Sequence, residues 1–79
     1  MDKITEAAKI DEGVMEVTEV KVRRYGSMLL VDMKINVSPH ITVERGHAIS
    51  ARTKQNILNH NEEVKDVLIH VNPYYSKLE

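Results

Sequence analysis

Four histidines, His40, His47, His60 and His70, are the side chains of this 79-residue chain best able to ligate a metal or move a proton near neutral pH. No cysteine accompanies them, which excludes disulfide scaffolds, thiolate zinc sites and cysteine nucleophiles. None of the four stands in an H-x-x-x-H or H-E-x-x-H spacing, the pattern that places two imidazoles on one helix face. Any metal site must therefore be assembled from separate elements, with carboxylates completing it. Ser27, Ser38, Ser50 and Ser76 all lie outside a G-x-S-x-G elbow. Gly13, Gly26 and Gly46 are too scattered to form a phosphate-cradling loop. The sequence reads as that of a non-enzyme.

Composition narrows the classes further. Eleven Lys and Arg against twelve Asp and Glu give a net charge of −1, without the basic field that nucleic-acid binders show. Three Tyr with no Phe or Trp offer no base-stacking platform. Apolar residues make up 42%, enough for a folded core. The longest apolar run, Met28-Leu29-Leu30-Val31, cannot span a bilayer. The expectation is one soluble domain over residues 1–79, with Met1 and Leu78-Glu79 read as products of cloning, the latter resembling the stub of a purification tag. A domain this small buries only about 60% of its unfolded surface, so dimerisation or docking on a larger body would help it.

The elements that must position the histidines follow from periodicity. Residues 3–12 read as a short helix with Ile4, Ala7 and Ala8 on one stripe, continued by Val14 and Met15. Asp2 is placed to cap its start and Gly13 to stop it. Residues 15–25 read as a strand in which Val17 is out of phase with Val20 and Val22, the mark of a bulge or of a start nearer Thr18. Gly26-Ser27 make a tight hairpin turn. In residues 28–37, Leu29, Val31, Met33, Ile35 and Val37 alternate with more polar positions, the clearest strand signal in the chain. Thr42 is an N-cap for a helix over 43–59, whose inner side gathers Gly46, Ile49, Ser50, Thr53 and Ile57 with Val43 at the margin. Residues 64–72 form the last strand, with Val67, Ile69 and Val71 facing one way and Val64, Leu68 and His70 the other. Residues 74–77 read as a frayed tail.

The order α-β-β-α-β implies an antiparallel hairpin, then a right-handed helical crossover to a parallel third strand. The predicted fold is α+β: a two-layer sandwich of a three-stranded mixed sheet with both helices on one face, a ferredoxin-like unit lacking its first strand. In that fold, Asp32 and His70 share a sheet face if the second and third strands are neighbours. A carboxylate and an imidazole together suit Zn²⁺ or a similar divalent ion. Each residue also has a purely structural reading. His47 reads as a helix-flank histidine satisfied by one hydrogen bond, His70 as an exposed strand residue, and Asp32 as half of a cross-strand ion pair. Lys21, Arg23 and Arg24 read as a solvated strand face.

Three segments carry a family resemblance. Val20-Lys21-Val22-Arg23-Arg24-Tyr25-Gly26 resembles the hairpin of cation diffusion facilitator transporters. Val43-Glu44-Arg45-Gly46-His47-Ala48-Ile49 is similar to that family's helix start, where a small residue precedes a histidine. Val67-Leu68-Ile69-His70-Val71-Asn72-Pro73 is similar to its closing I-H-x-x-P strand. Together they run in the right order from about Lys3 to Pro73. The resemblance implies the cytoplasmic C-terminal domain of a divalent-cation efflux transporter, on the cytoplasmic side of the membrane. Its partners would be a second copy in a V-shaped homodimer and the transmembrane domain of the same transporter. The ligand would be a divalent ion, Zn²⁺ first, with Fe²⁺, Mn²⁺, Co²⁺ and Cd²⁺ as the other candidates. Carried over by position, His47, His70 and Asp32 are the implied metal ligands, and His40 is a further candidate with no motif behind it. Two departures stand out. Asn72 occupies a position that is aspartate in histidine-rich members, and Lys34 occupies another strand-two ligand position, so fewer or weaker sites are implied. The competing readings are a metal-independent dimerisation scaffold and a small-molecule-binding regulatory domain; the latter lacks the glycine-rich loop it would use.

Overall fold

A computed structural model describes residues 3–75. Its elements are α1 (Lys3–Ala8), β1 (Glu16–Tyr25), β2 (Met28–Val37), α2 (Val43–His60) and β3 (Val64–Pro73). The expectations for Asp2, for the terminal residues and for Ser76-Lys77 lie outside the described residues. The alternation that marked β2 makes it the central strand, antiparallel to β1 and parallel to β3. Its inward row, Val31, Met33, Ile35 and Val37, is buried and joined by Ile49 and Ile57 of α2. Ile4, Ala7 and Ala8 of α1 and Val64 and Val67 of β3 complete the core. Burying a side chain of this size contributes roughly 1.5–3 kcal/mol, so this one layer of contacts dominates the fold. Thr53 is buried among them with a hydroxyl that has no hydrogen-bond partner.

Local signals decide where the elements begin and end. Thr42 accepts a hydrogen bond on Oγ1 from the Arg45 amide at 3.1 Å, the expected N-cap. At the other end of α2, Asn61 donates from Nδ2 to the Ile57 carbonyl at 2.9 Å. Gly26 adopts φ +60° in the hairpin turn, where a side chain would be strained. The phase slip in β1 is a bulge: the register shifts between Val17 and Glu19, which returns Val17 to the helix side opposite Ile35.

Four expectations are corrected. The first helix ends at Ala8 rather than running to residue 12. Its next residues turn instead, because Asp11 is drawn to Arg52 on α2 and Ile10 has no apolar surface to join, remaining 55% exposed. Met15 is exposed rather than continuing the apolar stripe of α1. Val43 does not reach the core margin and is 92% exposed. Val64 faces the core rather than sharing a face with His70, because a second register shift lies between Leu29↔Val64 and Leu30↔Asp66.

The α1–β1 turn is locked from two sides. Asp11, with its side chain 9% exposed, accepts from Arg52 Nε at 2.5 Å and Nη2 at 3.3 Å, and from the Gly13 amide at 3.0 Å. A Cβ on Gly13 would stand 2.6 Å from Cδ1 and 2.7 Å from Cγ1 of buried Ile49. Gly13→Ala is therefore expected to destabilise the domain by about 1–3 kcal/mol in urea unfolding, the usual range for overpacking a tight contact. The Arg52 hydrogen bond holds the Asp11 carboxyl below its ordinary pKa, against the opposing effect of burial and with help from the Gly13 amide. A carboxyl whose pKa is lowered by folding stabilises above its unfolded value of about 3.9, and that contribution is lost as pH falls through the lower folded value. The stability gap between wild type and Asp11→Asn should accordingly be open at pH 7 and narrow below about pH 4 in paired denaturation curves.

Candidate metal centre

Both helices cover one face of the sheet, and the other face carries cross-strand rows of polar side chains. The register aligns Glu16, Asn36 and Asn72 in one row and Glu19, Lys34 and His70 in the next. Lys21, Asp32 and Leu68 form the third row, and Arg23, Leu30 and Asp66 the fourth. Asp32 and His70 thus stand on neighbouring strands of the same face, one row apart on the diagonal. They are diagonal neighbours across the parallel β2–β3 pairing, and an ion bridging them would need bonds of about 2 Å to each donor. Asn72 shares the face and lies one row beyond His70.

His47 is placed elsewhere. It lies on α2 in a groove of about 420 Å³ with Val43, Gly46, Ser50, Ile69 and Val71. Those strand residues face the helix side, whereas His70 points to the opposite face. One chain therefore brings Asp32 and His70 together and separates His47 from both. His40 is exposed beyond the end of β2, and its amide donates to Ser38 Oγ at 3.2 Å. His60 is engaged at the helix end, with Nδ1 2.7 Å from the Asn56 carbonyl oxygen. Among the described residues, no group of three or more His, Asp or Glu side chains gathers as a metal cage. The donor types on the open face fit a divalent ion, and one chain supplies only part of a coordination shell.

The face is also threaded with ion pairs. Arg23 lies 3.5 Å from the Asp32 carboxylate, which realises the cross-strand pair expected for Asp32. Glu19 lies 3.7 Å from Lys34 and 4.0 Å from Lys21. Lys54 reaches round from α2 to Asp66 at 3.0 Å, and that bond holds the Asp66 carboxyl below its ordinary pKa. Sequence reading missed Glu19. Its row beside Lys34 and His70 depends on the bulge in β1, which sets the register and which spacing alone signals only as a phase slip.

Against this geometry, residues 1–74 match the family of the cation efflux protein cytoplasmic domain, and the chain belongs to that family. The family is one of metal transporters, the cation diffusion facilitators, and not of enzymes. The manganese efflux system protein MneP of Bacillus subtilis is 30% identical over 64 residues, 81% of this chain and 22% of its own. Metal tolerance protein C1 of Arabidopsis thaliana is 33% identical over 64 residues, 81% of this chain and 14% of its own. The chain thus spans about a fifth or less of these curated relatives. Among solved structures, the metal-bound C-terminal domain of the CzcD transporter from Thermotoga maritima superposes with a TM-score of 0.86 at 26% identity, covering 91% of this chain and 84% of that one. A nickel form of a MamM C-terminal domain variant gives 0.89 at 26% identity and covers 92% of both chains. The two-layer α-β-β-α-β fold is therefore that of the transporter C-terminal domains.

Solvent-exposed ion pairs contribute about 0–1 kcal/mol each. Arg23→Gln and Lys34→Gln are each expected to shift the unfolding free energy by less than about 1 kcal/mol, measured by urea denaturation.

Proposed function

We propose that this chain is the metal-responsive dimerisation domain of a divalent-cation efflux transporter, working beside a transmembrane domain of the same protein. The observation that carries the reading is the shared face of Asp32 and His70, a carboxylate and an imidazole on adjacent strands with too few donors in one chain to close a coordination shell. A second copy of the chain supplies the missing donors most simply. Metal shared between two copies would tighten the dimer by linkage: closed arms that bind the ion better than open arms are populated in proportion to that difference. Closure of a V-shaped pair would then bias the membrane domain toward export. The exposed groove at His47 would hold a separate site on the helix side. Zn²⁺ suits imidazole and carboxylate donors, and Mn²⁺ is the second candidate, since MneP is named for manganese efflux. The rival reading is a metal-independent dimerisation scaffold, favoured by Lys34 beside His70 and by asparagine at position 72.

Calorimetric titration with Zn²⁺ and Mn²⁺, paired with sedimentation, separates the two. Saturable binding is expected in the wild type and should disappear in His47→Ala/His70→Ala, with the double variant still folded. His70→Ala and His47→Ala singly should each remove part of the stoichiometry, because the sheet lies between them. No binding up to about 1 mM metal, far weaker than a cytosolic sensor needs, would leave the scaffold.

A further inference from the structure

Asp32 and Glu19, two carboxylates of the helix-free face, are already engaged by cations of the same chain. Asp32 has Arg23 at 3.5 Å, and Glu19 has Lys34 at 3.7 Å and Lys21 at 4.0 Å. Lys34 is also the direct register partner of His70 on the adjacent strand. A divalent ion arriving between Asp32 and His70 therefore meets a guanidinium on one donor and, in the register row of the other, a lysine whose ammonium pairs with Glu19 of β1. These pairs lie at the surface, with the Arg23 and Lys34 side chains 58% and 48% exposed, so they hold the fold only weakly. Their effect on an incoming doubly charged ion is larger, because the same Coulomb law acts on twice the charge.

We propose that Arg23 and Lys34 are resident cations that set the metal threshold of this face. Arg23 offsets the charge on Asp32 that an incoming ion would use, and Lys34 keeps a positive charge in the register row of His70. The two side chains thus raise the concentration at which the face fills, and they keep its carboxylates compensated when it is empty. This deepens the metal-binding reading and rests on it.

The test is titration of Zn²⁺ and Mn²⁺ into wild type, Arg23→Gln, Lys34→Gln, Lys34→Arg, Lys34→Gln/His70→Ala, His70→Ala and Lys9→Gln, with folding checked by circular dichroism. Lys34→Gln and Arg23→Gln should each tighten binding by roughly tenfold at low salt, and the gain should shrink as salt screens the charge. Lys34→Arg keeps the charge and should bind like wild type. Lys9→Gln makes the same change in net charge just after α1, away from this face, and should also leave binding unchanged. The gain of Lys34→Gln should vanish when His70 is removed. If wild type binds through His70 and Lys34→Gln and Arg23→Gln titrate like it, the threshold role is wrong and the metal-binding reading survives. If wild type does not bind but the glutamine variants do through His70, the threshold role holds and the wild-type domain is not a sensor. If none binds, both ideas fall.

Discussion

The contact between the inward row of β2 and the buried stripe of α2 is the constraint on which the rest of the structure depends. Val31, Met33, Ile35 and Val37 can be covered only from one side, and Ile49 and Ile57 cover them. The helical crossover places β3 parallel to β2, and α1 adds Ile4, Ala7 and Ala8 to the same layer. Among the described residues, both helices lie on one face of the sheet and neither covers the second.

That exposed second face carries the proposed ligands Asp32 and His70. Strand alternation turns every second strand residue toward it, and charged and imidazole side chains stand there in rows. Geometry then sorts them: Asp32 and His70 come together across β2 and β3, while His47 remains on the helix side of the sheet. The same geometry brings Arg23 and Lys34 into the rows. The face that carries the proposed ligands Asp32 and His70 also carries cations, and on that proposal metal binding would be a competition between fixed and mobile positive charge. The chain belongs to the cation efflux cytoplasmic-domain family, the setting in which that proposed competition would operate.

The lock at the start of the chain has a different character. Asp11, Gly13, Arg52 and Ile49 join α1 and its turn to α2 through one half-buried carboxylate and one contact too close for a Cβ.

Much of this was legible in the sequence alone, because it rests on short-range regularities. The alternation in residues 28–37, the cap at Thr42, the turn glycine at Gly26 and the helical spacing of Gly46, Ile49, Thr53 and Ile57 are local patterns, and local backbone geometry converts them directly into elements. The order of those elements, with the right-handed crossover, then places Asp32 and His70 on one face. What the tertiary structure alone decided depends on partners distant in sequence. The early end of α1 follows from the attraction of Asp11 to Arg52, forty-one residues away. The inward turn of Val64 and the row that joins Glu19, Lys34 and His70 follow from two register shifts. A single inserted residue in a strand reverses which face its neighbours occupy, and only the pairing of whole strands fixes where that insertion falls.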